Sequence, residues 1–226
     1  MKFATYNIAG GAGWSGYKVT TDYKLITEDI LESGAEVVGL QEVDMGTKRN
    51  GGKNTVDEIM AYSKWYGFFA KAVPMDGGDY GNAIISKYPI IKAEIIRLPF
   101  RTDKEVKRGV LRAVLDLGDE CLDVFVTHTD QGSIFLQLGK IWELAKECKK
   151  FVLLGDFNYT DKEEGSAFDI FEGCDKANSL ENKIVTTLDG YSFDNILAPS
   201  QMGVTNASVI ETGHSDHLML VADIEV

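Results

Sequence analysis

The sequence has 226 residues, of which 44% are hydrophobic and 26% are charged. This is the composition of an ordinary globular protein that is long enough to bury a core, so disordered and fibrous architectures are excluded. No apolar run approaches the roughly 18 residues needed to span a bilayer. The opening segment also lacks the apolar stretch of a leader. We therefore expect a soluble, cytoplasmic protein.

The charge balance is strongly acidic: 23 Lys and Arg face 35 Asp and Glu, for a formal net charge of -12. Such a surface repels a phosphate backbone at long range, which argues against a general nucleic-acid binder but does not exclude a local basic patch. Cys121, Cys148 and Cys174 lie far apart in the sequence. Three scattered cysteines form neither a disulfide framework nor a zinc motif, so we expect them to be reduced and buried.

The predicted elements are many short strands and a few helices, identified from apolar periodicity and capping signals. In chain order we expect a strand at 2–8, a helix from about 22 to 32 that stops at Gly34, a strand at 37–42, and a helix whose capping box is Thr55 and Glu58. Strands follow at 68–73, 82–86, 90–98, 110–117 and 122–128, then an amphipathic helix including residues 138–145, and strands at 151–155, 192–197 and 218–226. No linker or repeat divides the chain, so residues 1–226 are interpreted as one domain of two packed sheets flanked by helices.

Acids, amides and histidines from distant parts of the chain lie at the ends of these predicted strands. In an α/β sheet, side chains that follow the carboxyl ends of strands converge at one edge. We expect such a pocket to collect Asn7, Glu42, His128, Asp130, Asp156, Asn158, Asp194, Asp216 and His217.

Carboxylate and amide oxygens of this kind suit Mg²⁺ or Mn²⁺ better than zinc. Glu42 could hold the cation. Asp156 and Asn158, two residues apart on one turn, could bind and orient a water nucleophile. His217, next to Asp216, could receive a proton or donate hydrogen bonds to a developing phosphorane. The set as a whole favours metal-assisted hydrolysis of a phosphoester.

Each of these residues also has an ordinary structural interpretation. Asn7 or Glu42 alone could be a turn or cap residue, and the Asp156–Asn158 segment could be a simple turn. His128, at the end of an apolar strand, could be a hydrogen-bonded core histidine. The ordered combination, rather than any single member, favours the catalytic interpretation.

The motifs run through almost the whole chain. They read TYNI, LQEVD, GTKRNGG, GNAIISKYPI, KRGVLRAVLDL, VTHTD, LLGDFN, SFDNIL and SDHLMLVADI. In this order they resemble the endonuclease/exonuclease/phosphatase family of metal-dependent phosphohydrolases. The resemblance implies an α/β (α+β) fold, a four-layer α/β/β/α sandwich of two packed, mainly antiparallel sheets flanked by helices, with the site at one end of the sheets.

By this resemblance, Asn7 and Glu42 lie at the metal, with Glu42 as the principal ligand, and Asp216 is a metal-linked acid. Mg²⁺ is the expected cofactor, with Mn²⁺ as a possible substitute. Asp156 is similar to the residue that orients or deprotonates the attacking water, with help from Asn158.

The resemblance also suggests how the remaining residues act. Asp194 would orient His217, as the third residue orients the base in hydrolase triads. His217 would stabilise the phosphate or act as an acid, and His128 would contact the scissile phosphate. Asp130 fits the same motif as His128 and ranks lower.

Four residues are expected to bind substrate: Arg49, Arg108, Asn82 and Asp130. Each arginine follows a motif and could reach a phosphate with its fork of donors, although both could equally be solvated loop charges. Asn82, at the start of a predicted strand, could line the pocket.

Three function classes follow from these residues. The first is an Mg²⁺-dependent hydrolase of a small or lipid-derived phosphoester, either a diester or a monoester. The second is an endo- or exonuclease on DNA or RNA, which is disfavoured because residues 161–184 lack interleaved basic and aromatic residues. Residues 192–195 depart from the usual family segment, so substrate contacts there are expected to differ from those of the family. The third is an inactive binding protein on the same fold, which the complete catalytic set argues against.

Overall fold

The computed structural model of the chain describes residues 1–11, 22–103, 105–160 and 166–226. The first part of the acidic stretch 161–184, residues 161–165, lies outside this description. Among the described residues, no helix is both long enough and apolar enough to cross a bilayer.

The elements in chain order are short strands interrupted by a few helices. The strands are β1 (Lys2–Asn7), β2 (Val37–Met45), β3 (Tyr66–Met75), β4 (Gly78–Ser86), β5 (Ile90–Arg97), β6 (Gly109–Asp116), β7 (Cys121–His128), β8 (Phe151–Asp156), β9 (Cys174–Lys176), β10 (Asp194–Pro199), β11 (Thr205–Ile210) and β12 (Met219–Asp223). The α-helices are α1 (Tyr23–Glu32), α2 (Thr55–Ser63) and α3 (Ile134–Ala145). Single 3₁₀ turns cover Ala9–Gly11, Gln131–Ser133 and Ala167–Ile170.

The strands form two six-stranded sheets with the same internal pattern. The first has the order β11-β12-β1-β2-β4-β3 and the second the order β5-β6-β7-β8-β10-β9. Each sheet contains one parallel pair, β1 with β2 and β7 with β8, and its other pairs are antiparallel. The sheets are therefore mainly antiparallel, as the sequence predicts.

A helix joins the two strands of each parallel pair, because parallel neighbours need a crossover connection. Helix α1 connects β1 to β2, and α3 connects β7 to β8. Alternation along β1 shows how the layers form: Phe3 packs into the core between the sheets, whereas Ala4 packs into the core under α1 and α2. A third core lies between α3 and the outer face of the second sheet. The predicted four-layer α/β/β/α sandwich is confirmed.

Strands β9 and β11 were not predicted from the sequence. Strand β9 has three residues, and three of the six residues of the edge strand β11 are exposed and polar, so neither has a long apolar run. Such strands form because a neighbouring strand offers free hydrogen-bonding groups, and their own sequence does not encode this.

Two local predictions are corrected. Helix α2 is capped by the Asn54 side chain, which accepts from the Asp57 N–H, because the Thr55 hydroxyl instead donates to the Asp44 carbonyl. The three cysteines are free, but none is fully buried as predicted: Cys148 and Cys174 are half-buried, and Cys121, the first residue of β7, is exposed.

Candidate active site

One end of the sandwich holds a cavity of about 270 Å³. It lies where the carboxyl ends of both parallel pairs meet. Its lining consists of Glu42, Arg108, His128, Asp156, Asn158, Thr187, Leu188, Asp189, Phe193, Asp216 and His217. Most of the residues predicted for the site therefore share one cavity.

The strands bring these residues together in two different ways. Asn7, His128 and Asp156 end β1, β7 and β8, as expected. Asp194, however, is the first residue of β10 and pairs with Asp156 in antiparallel register, and His217 comes just before β12. The amino end of an antiparallel strand lies beside the carboxyl end of its neighbour. These two residues therefore converge with the others as predicted, although they lie at the amino ends of their strands and not at the carboxyl ends.

Glu42 reaches the cavity because β2 is irregular at this point. Its φ is +56°, in the left-handed region, and the register with β4 shifts between Leu40 and Val43. A bulge re-aims a side chain, and a non-glycine residue in this region carries backbone strain that is typical of functional sites.

Asn7 joins the acids of the two sheets. Its Nδ2 donates to Glu42 Oε1 at 3.3 Å and to Asp156 Oδ2 at 3.0 Å, while its Oδ1 accepts from the Ala9 N–H at 3.0 Å. In this arrangement the amide nitrogen faces the carboxylates and the oxygen is already used. These contacts support a role for Asn7 in positioning the two carboxylates more than a role as a metal ligand.

His217 is held by a buried carboxylate. Its Nδ1 lies 2.8 Å from Asp194 Oδ2, and its Nε2 lies 3.7 Å from Asp156 Oδ2. Burial opposes the charged imidazole, but Asp194, Asp156 and Asp216 outweigh it and raise the pKa of His217 to about 10. This pKa favours the protonated ring at neutral pH in the metal-free protein, and Nε2 lies on the side of Asp156.

His128 has the opposite electrostatic state. Its Nε2 lies 2.8 Å from Asn158 Nδ2, and its Nδ1 is buried without a hydrogen-bond partner among the described residues. Burial, together with the nearby charges of Arg108 and His217, lowers the pKa of His128 to about 4 despite the opposing effect of Asp156. A neutral imidazole therefore faces the cavity.

The turn after β8 fixes Asp156 and Asn158 relative to each other. The Asn158 N–H donates to Asp156 Oδ1 at 2.8 Å, and the Asn158 side chain donates to the Thr129 carbonyl at 3.1 Å. Asn158 has a φ of +47°, a conformation that asparagine tolerates better than most residues. The second oxygen of Asp156 faces Asn7 and the two histidines.

The chemistry of the acids fits a hard divalent cation. Burial and the like charges of Asp156 and Asp216 raise the pKa of Glu42, although Asn7 and His217 oppose this rise. Ligand atoms of Asp156, Asp194 and His217 also lie within 4.8 Å of one another, but Asp194 and His217 already bond each other. Glu42 and Asp216 also line the cavity, and their carboxylate oxygens are of the kind that suits a hard divalent cation.

The two arginines differ in placement. Arg108 lines the cavity, and its Nε is buried without a hydrogen-bond partner among the described residues. Arg49 does not line the cavity, because its guanidinium forms a two-point ion pair with Asp44 through Nε at 2.5 Å and Nη2 at 2.8 Å.

Asn82 and Asp130 also lie outside the cavity lining. The Asn82 amide donates to the Gly109 carbonyl at 3.1 Å. Asp130 caps the following 3₁₀ turn by accepting from the Gly132 N–H at 2.9 Å. Both contacts are structural, so the geometry does not bring these two residues to the predicted substrate.

Four cavity residues were missed by the sequence analysis: Thr187, Leu188, Asp189 and Phe193. They lie in the segment that leads into Asp194. The available signal was the unusual segment 192–195, which was noted only as a departure from the family pattern.

Comparison with known proteins agrees with this architecture. A family model described as "Endonuclease/Exonuclease/phosphatase family" matches residues 4–217, and the chain therefore belongs to this family. Its members are hydrolases that act on phosphoester bonds and depend on divalent metals. A search of curated proteins gives no match.

Solved structures share the fold at low sequence identity. An endonuclease/exonuclease/phosphatase from Beutenbergia cavernae superposes with a TM-score of 0.81 at 18% identity, covering 100% of this chain and 71% of the other. The human Nocturnin catalytic domain, solved with a bound sulfate anion, gives 0.74 at 21% identity over 99% and 93% of the two chains. TDP2 of D. rerio, solved with a single-strand DNA product, gives 0.72 at 15% identity over 100% and 99%.

Proposed function

We propose that the protein is an Mg²⁺-dependent hydrolase of phosphoester bonds, with Mn²⁺ as a substitute metal. Its substrate is a small or lipid-derived phosphodiester or phosphomonoester, and water attacks phosphorus in line. One observation carries the proposal: Asn7 bonds both Glu42 and Asp156 beneath a cavity that His217 also lines. The site thus combines carboxylates that could bind a cation, a carboxylate that could accept a proton from water, and a protonated imidazole.

In this proposal Glu42 and Asp216, which both line the cavity, would hold the metal. A divalent cation bound there neutralises phosphate charge and stabilises the leaving oxygen. The bulge at Glu42 and the amide of Asn7 fix the carboxylates before the cation binds.

The chain's own residues supply the remaining steps. Asp156 accepts a proton from the attacking water, since one of its oxygens is fixed by the Asn158 N–H and the other faces the cavity residues. His217, cationic at neutral pH and oriented by Asp194, donates from Nε2 to the phosphate. Arg108 binds the phosphate oxygens, and Asn158, whose side-chain amide is held by His128 Nε2, orients the water beside Asp156.

The decisive experiment measures hydrolysis of bis(p-nitrophenyl) phosphate and a panel of phosphoesters with Mg²⁺ or Mn²⁺. We expect turnover by the unchanged protein and a loss of more than about 100-fold in kcat for Glu42→Gln, because the variant keeps the shape but removes a charge at the metal. Glu143→Gln, an exposed glutamate on α3, is the matched control and retains activity. Absence of turnover across the panel with either metal refutes the proposal.

A nuclease is the second candidate, supported by the fold shared with TDP2, which was solved with a single-strand DNA product. The net charge of -12 opposes binding of a long phosphate backbone. Cleavage of plasmid DNA at low salt, at a rate comparable to that of the best small ester, would favour this candidate. An inactive binding protein is disfavoured because three predicted acids and both predicted histidines line the cavity: Glu42, Asp156, Asp216, His128 and His217.

A further inference from the structure

One wall of the cavity is a tight turn whose residues have no role in the proposed mechanism. We call residues 186–191 the rim turn. The Thr186 N–H donates to the Tyr191 carbonyl at 2.8 Å, and the Gly190 N–H donates to the Thr187 carbonyl at 3.1 Å. Gly190 has a φ of +95°, which few other residues adopt. The turn therefore has a defined shape.

Backbone hydrogen bonds attach the rim turn directly to the catalytic segment. The Leu188 N–H donates to the Asp216 carbonyl at 2.9 Å, and the Leu218 N–H donates to the Thr186 carbonyl at 2.8 Å. Thr187 also forms a β-bridge with His217. The side chains of the turn are consequently held at a fixed position beside His217.

The rim turn presents an acid and an apolar surface to the cavity. Asp189 is exposed at the cavity, and its Oδ1 accepts from the Thr187 hydroxyl at 2.6 Å. Leu188 and Phe193 also line the cavity. The ring of Tyr191 stacks on Phe193 with centroids 4.8 Å apart and an angle of 5°, so it extends the apolar surface outward.

The charge of this wall is uniformly negative or neutral. The sequence contains no lysine or arginine from residue 184 to its end at residue 226, and Arg108 is the arginine in the cavity lining. The cavity lining therefore contains the guanidinium of Arg108 as well as the carboxylate of Asp189.

We propose that the rim turn selects the substrate: it accepts a group with an uncharged, apolar face on its side of the scissile phosphate and rejects a group that carries a further phosphate. This inference rests on the proposed function and specifies its substrate class. A second phosphate on that side would approach the exposed Asp189 carboxylate, and the two like charges would repel each other with a strength that added salt lowers. Leu188 and the stacked rings of Tyr191 and Phe193 offer contact area to the apolar face.

A matched pair of chromogenic substrates tests the charge selection. The p-nitrophenyl ester of thymidine 5′-phosphate and its 3′-phosphorylated form differ by one phosphate and release the same phenolate. We expect the unchanged protein to prefer the first by kcat/KM. In Asp189→Asn the Thr187 hydroxyl can still donate to the side chain, so the turn keeps its shape, and the preference should fall about three- to tenfold. Added salt should lower the preference of the unchanged protein more than that of the variant.

Asp119→Asn is the matched control, because it changes the net charge equally at an exposed turn outside the cavity lining. It should leave the preference unchanged. An identical preference in Asp189→Asn and the unchanged protein overturns the inference. Lack of hydrolysis of both esters and of bis(p-nitrophenyl) phosphate with metal would instead refute the proposed function.

The apolar part of the inference has its own variant. Leu188→Ala should raise KM for bis(p-nitrophenyl) phosphate about threefold or more, since the lost side chain lines the cavity. Leu31→Ala, an exposed leucine on α1, is the control. An unchanged KM in Leu188→Ala would contradict contact between the rim turn and the aryl group.

Discussion

At the scale of single residues, two histidines of one cavity are held in opposite protonation states. His217 bonds Asp194, and the surrounding acids outweigh burial to raise its pKa to about 10. His128 bonds the amide of Asn158, and burial lowers its pKa to about 4. The pKa values of the two rings differ because more carboxylates surround His217 than His128, and not because of the depth of burial alone.

The lowered pKa of His128 predicts sensitivity of the fold to acid. Since the folded pKa lies below the unfolded value of 6.5, the contribution of His128 to stability is complete above pH 6.5 and is lost as the pH falls toward 4. The full loss corresponds to about 3 kcal/mol of unfolding free energy. Urea unfolding of metal-free protein at several pH values measures it.

His128→Asn isolates this residue from other groups that titrate in the same range. The variant lacks the ionisation, so its unfolding free energy should fall less between pH 6.5 and 4 than that of the unchanged protein. Parallel curves for the two proteins, or a histidine resonance of residue 128 that titrates near 6.5, would contradict the assignment.

At the scale of elements, the segment that carries Asp216 and His217 is attached to both β1 and α1. The Ser215 hydroxyl donates to the Asn7 carbonyl at 2.6 Å, and the Tyr6 and Thr212 hydroxyls lie 2.6 Å apart. His214 Nδ1 lies 2.6 Å from Asp29 Oδ2 on α1. The helix thus helps to place the catalytic segment.

Removal of the His214 side chain should therefore impair catalysis more than stability. We expect His214→Ala to lower kcat about tenfold, as residues that orient active groups commonly do. His214→Asn should recover most of the activity, because its Nδ2 can take the place of Nδ1 as the donor to Asp29. Steady-state kinetics on folded protein, with melting temperatures recorded beside them, provide the comparison.

The control is the Arg112–Asp123 pair, with Nε and Oδ1 2.8 Å apart, which joins β6 to β7 outside the cavity lining. Asp123→Asn weakens a pair of similar exposure without touching the catalytic segment. Equal losses of kcat in His214→Ala and Asp123→Asn would show that the pair at His214 is only structural.

At the scale of the whole molecule, Gly39 allows the two sheets to pack closely. It lies on β2, and a Cβ at this position would come within 2.9 Å of Leu154 Cβ and 3.0 Å of Val126 Cγ1 in the other sheet. The parallel pairs of the two sheets therefore face each other across a residue without a side chain, directly behind the strand ends that form the site.

Gly39→Ala should lower the unfolding free energy by about 1–3 kcal/mol, since an added methyl group overpacks the core. Gly139→Ala on α3 should instead raise it by about 1 kcal/mol, because there a Cβ would meet only Ile170 Cδ1 at 3.7 Å and alanine favours a helix interior. Denaturant unfolding of both variants checks the opposite signs. Stabilisation by Gly39→Ala would show that the sheets lie farther apart.

Much of the architecture was predictable because it depends on local apolar pattern. The continuous apolar runs of β2 and β8 predict central strands covered on both faces, and the period of α3 predicts its helix. The polar exceptions at the strand ends, Asn7, Glu42, Asp156 and His217, stood out against that pattern. Edge strand β11 was missed, because its pairing depends on β12 rather than on its own sequence.

The sequence by itself determined the fold class and the family likeness and singled out most of the acids and histidines that line the candidate site, since these follow from residue type and order. Only the tertiary structure decided which of the two arginines reaches the cavity, how Asn7 divides its hydrogen bonds, and that the rim turn forms a wall. The physical reason is that such contacts depend on loop paths and on distant parts of the chain, which a local pattern does not specify. The path of one loop turns Arg49 toward Asp44, five residues earlier. Asp189 reaches the site through backbone hydrogen bonds between its turn and the distant segment around His217.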